Sequence, residues 1–143
     1  MLKIMFLCTG NSCRSQMAEG IMREWGKGII EPFSAGIASA GFVHPKAVEV
    51  MRESGVDISK QNSKPMDINL LYLMDVIITL CGDAEETCPM TPPGIKRLHW
   101  PIADPNRVTG TEEEIMDAFR KTRNELKKRV FLFIQELHYA NRT

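Results

Sequence analysis

Two side chains six positions apart pose the first chemical question. They are Cys8 and Arg14, at either end of the stretch CTGNSCR. Cys8 closes an apolar run, LKIMFL at 2–7, and Arg14 opens a segment with helical spacing. A loop running from a strand into a helix offers backbone N–H groups without intrahelical partners, at the positive end of the helix dipole. Such a loop holds a tetrahedral oxyanion. Arg14 adds a planar fork of donors that grips two oxygens at once. Gly10 is expected to let the backbone turn where a side chain would clash, and Asn11 tolerates left-handed geometry. A sulfur at Cys8, ringed by these donors, is favoured as thiolate and aimed at the centre of the anion. Ser12 or Ser15 can hydrogen-bond it. Thr9, Gly10, Asn11, Ser12, Cys13, Arg14 and Ser15 therefore read as an oxyanion-binding loop, with Cys8 as nucleophile and Arg14 as its catalytic partner. Cys13 reads as a small buried residue behind the loop. The bare spacing is weak. The apolar run before it, the glycine within it and the amphipathic segment after it make it specific.

Two further cysteines, Cys81 and Cys88, bracket CGDAEETC. Zinc usually takes four Cys or His ligands in tighter pairs, and His99 is the one imidazole nearby. Inert packing suits Cys88 poorly, because its acidic, polar surroundings are hard to bury. A redox-active pair is the third reading. Asp104 stands before Pro105, which biases it to an extended backbone and fixes its direction. That dipeptide serves either a turn or a positioned acid.

These residues need elements to carry them. The runs at 2–7, 30–34, 75–80 and 96–100 read as strands. Met17, Ala18, Ile21, Met22 and Trp25 recur at helical spacing before Gly26 and Gly28. Pro45 fits a first helical turn, with Val48 and Met51 on one face and Gly55 ending it. Residues 67–72 form another helix. Thr111 caps the last one, with Ile115, Phe119, Leu126, Val130, Phe133 and Leu137 facing the core. Alternating strands and helices imply an α/β fold whose parallel sheet is covered on both faces. Ligands bind such sheets beyond the carboxyl ends of the strands, where Cys8 and Cys81 both fall.

At 143 residues a single catalytic domain, 1–143, is expected. Basic and acidic side chains balance, which points away from nucleic acid and anionic membranes and does not force assembly, so a monomer is expected. No apolar run approaches the ~20 residues of a membrane span. The run at 2–7 is too short for a signal-peptide core, and a cytoplasmic location is expected.

CTGNSCRSQMAEG, SAG at 34–36, HPKAVEVM, GVDIS, VITLCGDAEETCP and HWPIADP together resemble the thioredoxin-coupled arsenate reductases, which share the low-molecular-weight tyrosine phosphatase fold. The resemblance covers residues 2 to about 137. It implies a three-layer fold with a four-stranded parallel sheet in the order 2-1-3-4. It also implies arsenate as a phosphate-like substrate and Asp104 as general acid. Cys8, Cys81 and Cys88 would form a thiol–disulfide relay regenerated by thioredoxin. Residues 81–88 are then expected to be helical or turned when reduced and looped outward when oxidised. The rival reading is a tyrosine phosphatase whose extra cysteines protect Cys8. Aromatic residues that would clamp a phosphotyrosine ring are missing after Asp104-Pro105, and weak aryl-phosphatase activity is expected as a by-product. No obligatory cofactor is expected. Some members hold potassium beside the loop through residues matching Asn11, Ser15, Glu19 and Ser34. Lys64 stands where an aspartate usually completes that site, so its ammonium is expected to replace the ion, unless it is simply exposed.

Overall fold

The computed structural model describes residues 1–82 and 90–140. β1 (Leu2–Cys8) leads into α1 (Arg14–Trp25), β2 (Ile30–Gly36) and α2 (Pro45–Glu53). α3 (Ile68–Leu71), β3 (Val76–Cys81), β4 (Lys96–Ile102), a single 3-10 turn at Pro105–Arg107 and α4 (Glu112–Ala140) follow. The sheet is wholly parallel, in the order β2-β1-β3-β4. β1 and β3 are central, which is why their sequences are apolar without alternation. Ile4, Phe6 and Cys8 face one core with Leu80, Trp100, Met17 and Phe119. Met5 and Leu7 face a smaller one with Ala35, Leu71 and Ile77. Both faces are thus covered, and β1 and β3 end side by side.

The last helix starts as its first residues suggest. Thr111 Oγ1 accepts from the Glu114 N–H at 3.1 Å, and Glu114 Oε1 accepts from the Thr111 N–H at 3.2 Å, a reciprocal capping box. Three expectations shift. Trp25 is 40% exposed rather than in the core, because α1 ends there and the ring lies under Lys127 Nζ, 5.9 Å from its centroid. α3 is shorter than residues 67–72, with Asp67 capping it by accepting from the Asn69 N–H. β4 runs past Trp100 to Ile102 despite Pro101. An edge strand tolerates the missing N–H, and the cost appears as a register shift: Thr79 pairs with His99, but Cys81 with Ile102. No helix among the described residues is long and apolar enough to cross a membrane. The expectation for residues 81–88 falls largely on 83–89, outside the described residues.

Candidate active site

The loop after β1 is shaped from outside. Ile37 N–H donates to the Cys8 carbonyl, Ala38 to Thr9, Ala40 to Gly10 and His44 to Ser12, at 2.9–3.3 Å. Gln16 Nε2 holds the Asn11 carbonyl at 3.0 Å. In a trans peptide unit the C=O and the following N–H point in opposite directions. Carbonyls pulled outward therefore turn the N–H groups of residues 9 to 13 toward the inside of the loop. The left-handed residue is Asn11, at φ 48°. The expectation for Gly10 is corrected: its φ is not positive, and an added Cβ there would meet Ser12 Oγ at an ordinary 3.5 Å. The glycine that the loop requires is Gly36, where a Cβ would lie 2.8 Å from both the Asn11 nitrogen and the Thr9 oxygen.

Asn11 is fully buried under the loop. Its Oδ1 accepts from the Lys64 N–H at 2.7 Å, and its Nδ2 donates to Ser15 Oγ at 2.8 Å. Ser15 Oγ is in turn 2.8 Å from Cys8 Sγ. Because Ser15 already accepts from Asn11, its own proton is available to a thiolate at Cys8. Ser15, not Ser12, is thus the serine that serves the sulfur; Ser12 Oγ is near Cys13 Sγ instead, at 3.7 Å. Burial pushes the Cys13 thiol up to about 12, against a smaller opposing effect of the Ser12 hydroxyl, so Cys13 stays a thiol.

Arg14 is 2% exposed. Its Nη1 donates to the Ile102 carbonyl at 2.9 Å and the Leu80 carbonyl at 3.3 Å, which anchors the guanidinium on the ends of β3 and β4. Its Nη2 is 3.8 Å from Asp104 Oδ2. Asp104 is extended, at φ −74° and ψ 112°, as the following proline demands, and its Oδ1 accepts from the Asn106 N–H at 2.9 Å. These parts enclose a cavity of about 180 Å³ lined by Cys8, Thr9, Gly10, Ser12, Cys13, Arg14, Ala40, Asp104 and Asn106. Asn11 and Ser15 lie beneath that lining rather than in it. Ala40 and Asn106 were not among the candidates. Asn106 had a signal, since it directly follows the Asp-Pro pair. A wider recess of about 390 Å³ behind Asp104, against α4, contains neither Cys8 nor Arg14.

Cys81 is the last residue of β3. Leu7 pairs with Thr79, so continuing that register sets Cys8 level with Leu80 and one residue from Cys81 across the strands. Cys8 and Cys13 are free thiols, whereas Cys81 is disulfide-bonded. Cys88 lies outside the described residues. A Cβ at Gly82 would sit 2.5–2.7 Å from the backbone of Ile102, so the glycine permits a close approach of two strand ends. No cluster of three metal-ligating side chains occurs among the described residues.

Glu19, on α1, is buried beneath the same loop. Its Oε2 is 2.6 Å from Arg23 Nη2, and its Oε1 accepts from Ser34 Oγ at 2.6 Å and faces Lys64 Nζ at 3.8 Å. Lys64 Nζ also donates to the Asn62 carbonyl. Two cationic side chains thus face this carboxylate, Arg23 in direct contact and Lys64 more distantly.

The family model for low molecular weight phosphotyrosine protein phosphatases matches residues 3–142. The arsenate reductase of Bacillus licheniformis is 49% identical over 132 residues, covering 92% of this chain and 94% of that protein. A solved structure of an arsenate reductase in its phosphate-binding state superposes with a TM-score of 0.75 at 37% identity, covering 95% of this chain and 98% of that one. A thioredoxin-dependent arsenate reductase of Corynebacterium glutamicum superposes with a TM-score of 0.65 at 31% identity, over 92% of this chain and 63% of that one. With β1, its anion loop and the Asp-Pro turn arranged as described, the chain belongs to the low molecular weight phosphotyrosine protein phosphatase family, among the relatives of its arsenate reductases.

Proposed function

We propose that this protein reduces arsenate to arsenite through a relay of three cysteines and is regenerated by thioredoxin. The observation that carries the reading is one small cavity holding Cys8, Arg14 and Asp104 together, with Cys81 one position away on the adjoining strand. Arsenate enters as a tetrahedral dianion between the loop N–H groups and Arg14. The Cys8 thiolate attacks arsenic, and Asp104 protonates the departing hydroxide, which leaves as water. Cys81 then attacks the Cys8 sulfur. An S–S bond forms, the S–As bond breaks, and its electron pair stays on arsenic, which becomes As(III) and leaves as arsenite. Cys88 attacks Cys81, and Cys8 departs as a thiolate beside the Ser15 hydroxyl. The resulting disulfide passes to thioredoxin, whose two thiols are oxidised in exchange. The likeness to a reductase described as thioredoxin-dependent supports the choice of reductant. No aromatic residue is among the described residues that line the cavity, which disfavours an aryl phosphate as the main substrate.

The test is peptide mapping of the thiols after one equivalent of arsenate without reductant. Residues 81 and 88 are expected to be linked, with one arsenite released per chain. In Cys88→Ser, the link should instead join Cys8 to Cys81, with one arsenite released and no further turnover on adding thioredoxin. Arsenate consumed while 81 and 88 remain unlinked in the wild type would overturn the relay.

The pairing of Glu19 with Arg23 and Lys64 leads to a second expected result. The Lys64 ammonium does the work of a bound cation, so turnover in potassium chloride should match that in sodium chloride at equal ionic strength. Lys64→Asp should make turnover potassium-dependent. A several-fold activation of the wild type by potassium would overturn this.

A further inference from the structure

Gln16 and Gln61 have no part in the chemical steps above, yet both belong to a line of hydrogen bonds that ends on the Cys8 sulfur. Arg23 Nη1 donates to Gln61 Oε1 at 2.8 Å. Gln61 Nε2 donates to Gln16 Oε1 at 2.7 Å and to the Gln16 carbonyl at 3.0 Å. Gln16 Nε2 donates to Asn11 Oδ1 at 3.0 Å, as well as to the carbonyls of Asn11 and Asn62. From Asn11 the line continues through Ser15 to Cys8. Its inner links, Gln16, Asn11 and Ser15, are each 0% exposed, so water does not compete for their bonds.

A side-chain amide can be turned over in place, exchanging its oxygen and nitrogen, so a line of amides has a direction only where fixed partners set it. Each amide here has such a partner. The Lys64 N–H can only donate, and it meets Asn11 Oδ1, which leaves Asn11 Nδ2 for Ser15. The Asn11 and Asn62 carbonyls can only accept, so the end of Gln16 that meets them is its nitrogen. The Gln16 carbonyl fixes the nitrogen of Gln61 in the same way, and the Arg23 guanidinium, a donor only, fixes its oxygen. Every bond in the line therefore donates toward Cys8. An amide polarised by the donor behind it is a stronger donor to the next, and burial keeps solvent from damping the effect. A reversed Asn11 would set its nitrogen against two donors, the Lys64 N–H and Gln16 Nε2, and would turn its oxygen to Ser15. We infer that Gln16 and Gln61 are positioning residues for Cys8: they hold the Asn11 amide in the orientation that directs the Ser15 proton to the sulfur, and so sustain its reactivity. The inference deepens the function proposed above and rests on it for the role of Cys8.

Gln61 is the informative position, because it bonds α1 at Gln16 and Arg23, and a change there leaves the loop's own bonds in place. Gln61→Glu and Gln61→Met both keep the size of the side chain. Glutamate still accepts from Arg23 but sets a carboxylate oxygen against two oxygens of Gln16, whereas methionine only ends the line there. The measurement is the rate at which neutral iodoacetamide alkylates Cys8 at neutral pH, with the site confirmed by peptide mapping. It should fall about tenfold in Gln61→Glu and about threefold in Gln61→Met, while phosphate affinity stays within about twofold of the wild type. In Ser15→Ala the line is cut before the sulfur, so adding Gln61→Glu should change the rate by less than about twofold. The bare effect of a new negative charge would persist without Ser15. A Gln61→Glu rate within about twofold of the wild type would overturn the inference, as would equal falls in the two Gln61 variants or an undiminished fall in the Ser15→Ala background. Should Ser15→Ala not fold, the order of the two Gln61 variants decides alone. If the chain makes no arsenite, the functional reading fails, and alkylation, which needs no arsenate, still decides whether the line reaches Cys8.

Discussion

Cys8→Ser is expected to remove arsenate turnover to background, a loss of at least about 10³-fold, while leaving the fold and anion binding in place. The change is nearly isosteric at a side chain that is only 2% exposed, so no cavity opens. The neighbours of the sulfur also remain. Ser15 Oγ, 2.8 Å from the sulfur, is held by Asn11, and the loop carbonyls are still pinned by residues 37–44. What disappears is chemical. An oxygen at position 8 is a poor nucleophile without a base to take its proton, and among the described residues the side chain hydrogen-bonded to Cys8 is a hydroxyl, that of Ser15. The deeper loss is redox. A sulfur that has joined arsenic can accept a second sulfur and release an electron pair to the metalloid, whereas an oxygen cannot form that bond. Stopped-flow detection of arsenite should therefore show no burst in the variant, and calorimetry should show phosphate bound with wild-type affinity. Residual turnover above about one part in a hundred would assign the attack to another thiol. Cys13 is a poor stand-in, because burial raises its thiol to about 12.

How much of this was legible beforehand differs from element to element. The apolar runs that became β1 and β3 were unambiguous, because a central parallel strand is buried on both sides and reads as an unbroken run. That Cys8, Arg14 and Asp104 would share one cavity was legible for a different reason. Their placement depends on immediate neighbours, a strand end, a helix start and a following proline, which are all local. Contacts across the fold were not legible. Ser12 and Ser15 were equal candidates for the thiolate because spacing along the chain does not tell which hydroxyl the turn at Asn11 brings to the sulfur. The requirement for glycine at position 36 was hidden on the same ground. The steric demand on Gly36 comes from a loop twenty-five residues earlier, and it exists only when β2 lies beside β1. Ala40 meets the cavity through its pairing with Gly10, which has no sequence signature. The end of β4 was misjudged because Pro101 usually argues against a strand, and only its edge position makes it tolerable.

Arg14→Lys carries the other large effect, and it separates the proposed hold on the anion from the observed tie to two strand ends. As a ligand for the anion, lysine keeps the charge but presents a point donor instead of a planar fork, so it cannot hold two oxygens in fixed geometry. The loss belongs to the transition state, where charge on the oxygens rises as hydroxide departs. A fall of about 10²–10³-fold in kcat/KM is expected, in line with removal of one preorganised donor. As a structural tie, Arg14 bonds the carbonyls of Leu80 and Ile102, and Gly82 shows how closely those two strand ends approach. A lysine ammonium reaches one of these acceptors and leaves the other wanting a partner in a buried place, at a cost of about 1–3 kcal/mol. Thermal unfolding should fall by several degrees, a shift that a residue serving only the ligand would not produce. The two losses should also respond differently to added phosphate. Ligand binding recovers part of the stability of the wild type through linkage, and it should recover less in Arg14→Lys because the fork that senses the anion is gone. An unfolding midpoint unchanged from the wild type, with kcat/KM reduced as expected, would confine Arg14 to the anion and leave the junction of β3 and β4 to be held by the backbone alone.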